Sequence, residues 1–349
     1  MLLRHNASDY GGDVRVSGQR ATAADVAAAA GVSRSTVSYI LNGSNRQAFA
    51  PETVARVRAA AAELAYTPHA AARALRKGQS GIVLLALPDV PASTNFAKLV
   101  ASLTDAVRAT NRSLVALAIR PGNRLLDSLR DISPQALLEV LPLPEEDTAA
   151  ARAASIPVIS VASPIERLDR AAATLQVEHL AALGHRRLGI LTVSDAQVRP
   201  FSTPRLAAAR EAAAGLGLVA PQVISVAGPP DEAAIATVAS ALGRVATGAD
   251  RITALCCFND LFAAVAVAAA RSIGLDVPGD VSIIGIDDEP LAGLLGPTLS
   301  TVRYDFAGTG VHIRERLRQV LDDGPPATGI SSDALRVIER QSTTRLDDE

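Results

Sequence analysis

The stretch TAADVAAAAGVSRSTVSYILN, residues 22–42, predicts two short helices separated by a turn at Gly31. Thr22 stands three residues before Asp25, which is the spacing of a capping box at the start of a helix. Gly31 is suited to the left-handed conformation that ends this helix, and Ser33 can accept hydrogen bonds from the free amides that begin the next one. The pattern is that of a helix-turn-helix, so DNA is the first partner to consider.

The first helix is expected over residues 23–30, and the second is expected to begin near Arg34. In a helix-turn-helix the second helix lies in the major groove with its N-terminal residues at base edges, where Arg34 and Ser35 fall. A bidentate contact of arginine with guanine contributes about 1 to 3 kcal/mol of discrimination. The alternative is an ordinary pair of helices with a solvated polar face. The side chains expected on the exposed side are Arg34, Ser35, Thr36, Ser38 and Tyr39.

The charge of the chain is divided unevenly along its length. Residues 1–80 carry ten basic and five acidic side chains, a charge of +5, whereas the whole chain has a formal charge of −2 and the remainder therefore carries −7. A basic head joined to an acidic body suits a phosphate-contacting module attached to a part that avoids DNA.

Length and composition predict two or three domains with ample apolar material, since the chain has 349 residues and is 48% hydrophobic. The aromatic content of 3% and the abundance of alanine favour helices packed on sheets. No window holds about 18 uninterrupted apolar residues, and the N-terminal segment lacks the apolar run of a signal peptide. A cytoplasmic location without a membrane partner is therefore expected.

Four segments are predicted from these shifts in composition. Residues 1–20 are polar and glycine-containing and are predicted to be a disordered tail. A DNA-binding domain is predicted over 21–67, a hinge helix or linker over 68–80, and a larger domain of two subdomains over 81–349.

The linker contains HAAARALRKGQ, residues 69–79, which has helix-forming composition but is short and basic. Isolated helices shorter than about 12 residues are marginal in water, so this one requires a partner. Leu75 is its single large apolar residue. Either the segment folds on DNA and inserts Leu75 into the minor groove, or it is a flexible linker in which Leu75 packs on the neighbouring domain.

From Gly81 onward, continuous apolar runs alternate with helical stretches, which is typical of parallel strands buried on both faces by crossover helices. The fold class is therefore α/β, with doubly wound parallel sheets. The runs predicted as strands are IVLLALP, SLVALAI, LLEVLPL, PVISVAS, LGILTVS, VISVA, ITALCCF and VSIIGID.

Ligands in such sheets bind beyond the carboxyl ends of the strands. The polar residues at these positions are Asp89, Asn259, Asp260, Asp287 and Asp288. Arg205, at the start of a helix, joins them as a clamp for hydroxyl or carboxylate groups. For Asp260 and Asp288 the sequence favours helix capping, whereas Arg205, Asn259 and Asp287 are favoured as ligand-binding residues.

The two cysteines, Cys256 and Cys257, are adjacent in an apolar run. They are interpreted as buried strand residues in preference to a redox or metal site. No metal and no cofactor is expected. The pair of glycines at Gly215 and Gly217 follows a helix and lacks a third glycine, so a nucleotide-dependent enzyme is disfavoured.

Taken together, the motifs resemble the LacI/GalR (lactose and galactose repressor) family. The resemblance rests on TAADVAAAAGVSRSTVSYILNG, YTPHAAARALRKG, EHLAALGHRRLGIL, FNDLFAAVAVAAARSIGLDVPGDVSIIGIDD and PTLSTV, in this order. It implies a homodimeric transcriptional regulator, usually a repressor, with tetramers possible. Its body is expected to resemble a periplasmic sugar-binding protein, and its partners to be operator DNA and a small-molecule effector.

The resemblance also implies roles for individual residues. Arg34, Ser35 and Tyr39 are expected to contact bases. Contacts mainly to phosphates are expected from Thr22, Ser33, Thr36, Ser38 and Asn42. In the hinge helix, DNA contacts are expected from His69, Ala72 and Leu75, with Leu75 as the minor-groove wedge. The effector residues carried over are Arg205, Asn259 and Asp287.

Three departures from the family pattern stand out. The loop after Asn42 is longer, and His69 stands where an asparagine is usual. The segment VISVASPIERLDRAAATLQVEHL is shorter than in the family by roughly eight residues, and Ala162 occupies a position where an acidic or polar ligand is frequent. An unusual effector, or a DNA-binding regulator with a vestigial pocket, are the two interpretations left open. A periplasmic solute receptor would share the body but has no use for the basic head.

Overall fold

The computed structural model describes residues 21–42, 49–66, 80–90, 93–119, 125–245, 251–327, 329 and 335–346. The chain divides into two compact units, Met1–Ser80 and Gly81–Glu349, called here the head and the body. The predicted tail, 1–20, lies outside the described residues, as does all of the predicted hinge, 68–80, except Ser80. Among the described helices, none is both long and apolar enough to cross a membrane.

The described part of the head contains three helices, α1 (Ala23–Ala30), α2 (Arg34–Asn42) and α3 (Pro51–Glu63). Gly31 ends α1 in the left-handed conformation, with φ of 64°, as its lack of a Cβ atom allows. A small core lies among the three helices and consists of Val26, Ala27, Ala30, Val37, Val57, Ala60 and Ala61. Val32, Ile40 and Leu41 pack against it, so α2 turns its apolar side to this core.

The body is built from two subdomains, each around its own sheet. The first subdomain has a four-stranded parallel sheet in the order β2-β1-β3-β4. Its strands are β1 (Ile82–Leu87), β2 (Ser113–Ala118), β3 (Ala136–Glu139) and β4 (Val158–Ser160). The helices between them are α4 (Thr94–Arg108), α5 (Leu125–Ile132) and α6 (Glu145–Ala153).

The second subdomain has a six-stranded sheet in the order β10-β9-β8-β7-β5-β6, in which only β10 is antiparallel to its neighbour. Its strands are β5 (Leu188–Val193), β6 (Gln222–Val226), β7 (Ala254–Cys257), β8 (Ser282–Ile286), β9 (Ser300–Tyr304) and β10 (Leu335–Ile338). Its helices are α8 (Arg199–Gly215), α9 (Glu232–Val245), α10 (Asp260–Ser272) and a short 3₁₀ helix (Pro290–Gly293).

Two helices join the subdomains. Helix α7 (Ala162–Ala182) is 21 residues long and begins directly after β4. Its first half contributes Ile165 and Leu168 to the core of the first subdomain, and its second half contributes Val177 and Leu180 to the core of the second. Helix α11 (Ala307–Leu321) follows β9 but packs on α4, so the chain crosses back to the first subdomain there.

The predicted α/β class with doubly wound parallel sheets is confirmed, and each predicted apolar run contains a strand. Two further strands, β9 and β10, were not predicted. Strand β9 carries Ser300 and Thr301, which are buried and hydrogen-bonded to distant parts of the chain. Because these polar residues interrupt the apolar run, the sequence pattern of a buried strand is absent from β9.

Candidate DNA interface and central cavity

The start of α1 is fixed by a capping box. The backbone N–H of Thr22 donates to Asp25 Oδ2 at 2.7 Å, and the Thr22 hydroxyl donates to the same oxygen at 2.8 Å. The backbone N–H of Asp25 donates in turn to Thr22 Oγ1 at 3.4 Å. These hydrogen bonds hold the pKa of Asp25 below its usual value, and the bond from the Thr22 backbone has the largest effect. The predicted capping pair is confirmed.

The start of α2 is organised by Ser33. Its hydroxyl oxygen accepts a hydrogen bond from the backbone N–H of Thr36 at 3.1 Å and lies 2.7 Å from the hydroxyl of Ser35. Arg34, Ser35 and Tyr39 are exposed on this helix, whereas Val37 between them is buried. The two faces therefore separate as expected for a helix that binds a groove with one side and a core with the other.

Tyr39, although 45% exposed, lies beside Phe49, with the ring centroids 6.4 Å apart. This contact restrains its ring at the edge of the exposed face. Thr36 and Ser38 are partly buried. Asn42 ends α2, and its side chain lies outside the described residues, as do the predicted DNA contacts His69, Ala72 and Leu75.

A cavity of about 310 Å³ lies in the body between the two subdomains and is called here the central cavity. Asn95 and Phe96 of α4 line it from the first subdomain, and Arg205, Asn259 and Asp287 line it from the second. The three residues predicted to bind an effector are thus brought together at one site. This volume falls at the lower end of the range for small-molecule pockets.

Aromatic residues are concentrated around the central cavity. The body contains six aromatic residues in its whole sequence, and all six line this one cavity. They are Phe96, Phe201, Phe258, Phe262, Tyr304 and Phe306. Because aromatic side chains bury large areas and offer flat faces, such a concentration indicates a site for a ligand with an apolar surface.

Arg205 is held by an internal carboxylate. Its Nε and Nη2 donate to Asp169 Oδ1 at 3.1 and 2.7 Å, and its Nη1 donates to the carbonyl of Phe258 at 2.6 Å. The guanidinium also lies over the ring of Phe258, 4.8 Å from its centroid. Burial alone would lower the pKa of Arg205, but the Asp169 carboxylate raises it, so the guanidinium remains charged.

Asp169 reaches this position from α7. It is 2% exposed, and it also accepts a hydrogen bond from the hydroxyl of Tyr304 at 2.6 Å. Ala162, which stands where the family has an acidic or polar ligand, begins α7. The shortened segment after β4 therefore runs straight into a helix whose second turn brings a carboxylate against Arg205.

Asp287 follows β8 and faces α4 across the cavity, where Asn95 Nδ2 donates to its Oδ1 at 3.2 Å. Burial raises the pKa of Asp287 to about 8, against the opposing effect of the nearby Arg205 guanidinium. Its backbone has φ of 111°, in the region that non-glycine residues rarely adopt. A second connection across the cavity is made by Glu289, whose carboxylate accepts the backbone N–H of Thr94 at 2.8 Å.

Asn259 both lines the central cavity and caps α10, since its side chain accepts the backbone N–H of Phe262 at 3.1 Å. The expectation that Asp260 and Asp288 cap helices is wrong. Asp260 accepts hydrogen bonds from Thr301 Oγ1 at 2.6 Å and from the backbone N–H of Glu289 at 2.7 Å.

Asp288 forms ion pairs instead of a cap. It pairs with Arg303 and, at 2.7 Å, with Arg340. Asp89, also considered as a strand-end ligand, is exposed and is not among the described residues that line the central cavity. The end of β7 thus supplies both a helix cap and a cavity-lining side chain through Asn259, and a buried acceptor instead of the expected cap through Asp260.

Sequence reasoning missed Asp169 and Asn95. A signal for Asp169 exists in α7, where buried residues recur at 165, 168, 169, 172, 173, 176, 177 and 180. In this apolar stripe the polar members are Asp169 and Gln176, and a polar residue inside such a stripe requires a buried partner. Gln176 finds one in the carbonyl of Cys257, to which its Nε2 donates at 3.0 Å.

Cys256 and Cys257 are buried in β7, as predicted, and burial raises the pKa of the Cys256 thiol to about 12. A thiol with a raised pKa is a poor nucleophile and metal ligand. Over the described residues, no three His, Cys, Asp or Glu side chains come together in a way that could hold a metal ion.

The fold and the two sites define a class of protein. A helix-turn-helix with an exposed polar helix is the form of a DNA-reading module, and two α/β subdomains around a cavity are the form of a small-molecule receptor. One chain that carries both has the organisation of a DNA-binding regulator with a receptor-like body.

Residues 22–69 match the bacterial regulatory proteins of the lacI family, and residues 177–343 match the periplasmic binding protein-like domain. The HTH-type transcriptional regulator MalR of Streptomyces coelicolor is 31% identical over 328 residues, which cover 87% of this chain and 91% of that protein. The HTH-type transcriptional regulator GalR of Escherichia coli is 29% identical, with coverage of 87% and 90%.

Among solved structures, the Lac repressor dimer bound to operator and the anti-inducer ONPF superposes with a TM-score of 0.71 and 23% identity, covering 93% of this chain and all of that one. This likeness shows the shared fold. The chain belongs to the LacI family of bacterial regulatory proteins, and it is a DNA-binding transcriptional regulator, not an enzyme.

Proposed function

We propose that this regulator is a repressor that binds a palindromic operator as a homodimer through α2, and that a small molecule in the central cavity alters its affinity for the operator. The observation that carries the proposal is the pairing, in one chain, of a capped helix with an exposed Arg-Ser face and a cavity that both subdomains line. The first feature suits base recognition and the second suits effector control.

Base recognition is assigned to Arg34, Ser35 and Tyr39, because these three side chains are exposed on α2. Phosphate contacts are assigned to Thr22, Ser33, Thr36, Ser38 and Asn42. The hydroxyls of Thr22 and Ser33 already form hydrogen bonds in the caps of α1 and α2. A phosphate oxygen that contacted them would therefore have to share these hydroxyls with the caps. Their main role is to cap the starts of α1 and α2.

The hinge is assigned to residues 68–80, with DNA contacts from His69, Ala72 and Leu75. A short basic helix that forms only against a partner would fold on DNA, and an apolar side chain such as Leu75 can wedge between base steps of the minor groove. Ligand binding in the cavity would shift the relative position of the two subdomains and thereby of the two hinges in a dimer. A coupling of about 1 to 3 kcal/mol changes operator affinity about 5- to 150-fold.

A second candidate function is DNA binding without an effector. It is favoured by one observation: Asp169 already accepts the hydrogen bonds from Arg205 that a carboxylate or hydroxyl of a ligand would otherwise accept. The two functions differ in a single property. A regulator with an effector changes its operator affinity when some small molecule is added, and a regulator without one does not.

The experiment is selection of bound DNA from a random pool by the purified full-length protein at about 0.15 M salt, where nonspecific phosphate binding is partly screened. The expected product is a palindrome with half-sites about one helical turn apart. Sequences enriched as single half-sites, or no enrichment at all, would contradict the dimeric operator.

The same selection is then repeated with Arg34→Ala and with Arg58→Ala as its control, since Arg58 is an exposed arginine of the same charge on α3. Arg34→Ala is expected to relax the preference at one base position of each half-site by about 1 to 3 kcal/mol. Arg58→Ala is expected to leave the preferred sequence unchanged. Uniform weakening by Arg34→Ala, with every base preference retained, would make Arg34 a phosphate contact.

A further inference from the structure

The charges around the central cavity are unequal. Among the described residues that line it, Asp169, Asp195 and Asp287 are acidic and Arg205 alone is basic. Asp195 is half-buried, whereas Asp169 and Asp287 are 2% and 5% exposed. Because Asp169 is paired with Arg205, the carboxyl groups left to face a ligand are those of Asp195 and Asp287, and in their ionised form they would repel an anionic ligand and attract a cationic one.

Most of the hydrogen-bonding capacity of the one cationic group is already used by the protein. All three nitrogens of the Arg205 guanidinium donate to protein oxygens, on Asp169, Phe258 and Tyr304. The face of the guanidinium is covered on one side by the ring of Phe258. A phosphate or carboxylate that entered the cavity would have to displace Asp169 from this pair, and would leave that buried carboxylate without a counter-charge.

Two buried oxygens in the cavity lack a hydrogen-bond donor. Asp169 uses Oδ1 for Arg205 and Tyr304, while its Oδ2 is buried without a partner. Asn95 donates through Nδ2 to Asp287, which leaves its Oδ1 buried without a partner. Unsatisfied buried acceptors are costly, about 1 to 3 kcal/mol each, so a rotation of these two side chains toward a ligand with N–H or O–H groups would be favourable.

The aromatic lining adds a second preference. Phe258 packs edge-on against Phe262, and Tyr304 stacks on Phe306 with centroids 5.5 Å apart. The faces of aromatic rings carry negative charge density and attract cations, with the strongest effect in desolvated sites. The same faces pack well on a flat apolar body.

We propose that the central cavity takes a small organic cation, namely a protonated amine or nitrogen heterocycle on an aromatic or apolar body, and that it rejects phosphorylated and carboxylate molecules. The ammonium or ring N–H would lie against the Asp287 carboxylate as its counter-charge, with Asn95 and Asp169 beside it as further acceptors once their side chains turn toward the ligand. The inference rests on the proposed function of the cavity as the effector site, and names the chemical class of that effector.

The protonation of Asp287 makes the proposal quantitative. Asp287 is surrounded by Arg205 of α8, Asp169 of α7, Asp260 of α10, Glu289 beyond β8 and Asn95 of α4. Its pKa of about 8, raised mainly by burial, means that the side chain is largely neutral in the empty cavity at neutral pH. A bound cation favours the carboxylate, so binding is expected to release a proton, and affinity is expected to rise as the pH approaches 8.

The experiment uses the full-length protein and three probes of one shape: phenethylamine, 2-phenylethanol and phenylacetate, which are cationic, neutral and anionic. Binding is measured by calorimetry at pH 7 and pH 8 in buffers of different ionisation enthalpy, which reports proton release. Phenethylamine is expected to bind about tenfold or more tightly than phenylacetate, with affinity higher at pH 8. 2-Phenylethanol is expected to fall between them.

Three variants locate the effect. Asp287→Asn keeps the size of the side chain, and asparagine tolerates the positive φ at this position. It is expected to weaken the binding of phenethylamine about tenfold and to abolish the proton release, while the binding of 2-phenylethanol is unchanged. Asp195→Asn, half-buried at the same cavity, keeps the test open if Asp287→Asn folds poorly, and is expected to weaken phenethylamine less. Glu232→Gln, an exposed residue of α9, removes one charge elsewhere and is expected to change nothing.

The proposal is overturned if phenylacetate or a hexose such as glucose binds more tightly than phenethylamine, if Asp287→Asn leaves phenethylamine binding unchanged, or if none of the probes binds. Operator affinity is measured in parallel. Binding of phenethylamine without any change in operator affinity would refute the proposed effector control and leave the ligand class standing. A change in operator affinity caused by a sugar or an acid would support the proposed effector control and refute the ligand class.

Discussion

The buried ion pair between α7 and α8 offers the sharpest test of how the body is stabilised. In Asp169→Asn the carboxylate that faces Arg205 is replaced by a neutral amide of the same size. The pair is well shielded, with side chains 3% and 11% exposed, and Asp169 Oδ1 accepts hydrogen bonds from Arg205 and from Tyr304. The substitution leaves the guanidinium buried without a counter-charge.

Removal of one partner from a buried pair costs about 3 to 5 kcal/mol. Because the asparagine oxygen can still accept one hydrogen bond from Arg205, the lower end, about 3 kcal/mol, is expected for the loss in free energy of unfolding. In a domain of this size, about 1 kcal/mol corresponds to about 2 °C. Thermal unfolding followed by circular dichroism should therefore show the melting temperature of the body lowered by roughly 6 °C.

The control is Glu211→Gln, which removes the ion pair between Arg170 of α7 and Glu211 of α8. This pair joins the same two helices, but its side chains are 35% and 66% exposed. An exposed pair contributes about 1 kcal/mol or less. Equal shifts from the two variants would refute the argument that burial sets the cost. A double variant, Asp169→Leu with Arg205→Met, is expected to recover most of the stability, since both charges are then absent.

Three further outcomes are expected. Thr22→Ala removes the hydroxyl of the capping box and should lower the stability of the head by about 1 kcal/mol, measured by urea unfolding of the full-length protein at the helical signal of the head; an unchanged midpoint would contradict the cap. Because the pKa of Asp287 is raised, its contribution to stability is complete below about pH 4 and is lost as the pH rises through 8. Asp287→Asn should therefore flatten the decline in the free energy of unfolding between these pH values. Parallel plots of this free energy against pH for the two proteins would contradict the raised pKa. Gly189→Ala places a Cβ atom 2.7 Å from Leu255 Cδ1 and should destabilise the body by about 1 to 3 kcal/mol. Gly243→Ala lies in an exposed helical position with open space around it and should stabilise the body by up to about 1 kcal/mol. Shifts of the melting temperature in the same direction for both variants would contradict the packing argument.

The elements that depend on local pattern are predictable from the sequence. The cap at Thr22, the turn at Gly31 and the strands β1 to β8 follow from residues close together in the chain, because capping and burial on both faces leave a periodic signal. The alternation of strands and helices then limits the fold to parallel sheets.

The elements that depend on distant partners are less predictable. Strand β9 lies between two other strands of its sheet. Thr301 is acceptable there only because Asp260, 41 residues away in the chain, accepts a hydrogen bond from its hydroxyl. Position in the chain also does not separate Asn259 from Asp260, since both follow β7 and only the folded chain shows which one reaches the amide of Phe262. Local reasoning placed Asn259 at the cavity, where it lies, but assigned the helix cap to Asp260 instead of Asn259.

The central cavity illustrates both cases. Asn259 and Asp287 were placed at one site by the rule for strand ends, Arg205 was added to them as a clamp from a helix, and the structure brings all three together. Asp169 and Asn95 come from helices, where no such rule applies. The state of Arg205, charged but already paired, could not be predicted without knowing that α7 starts early enough to bring Asp169 against it.

Helix α7 also determines how the body comes apart. Its two halves belong to different hydrophobic cores, and they are parts of one unbroken helix of 21 residues. Loss of either core would expose half of this helix and weaken the hydrogen-bonded ladder of the other half. We therefore expect the two subdomains to unfold as a single cooperative unit, with one calorimetric transition for the body although it contains two sheets.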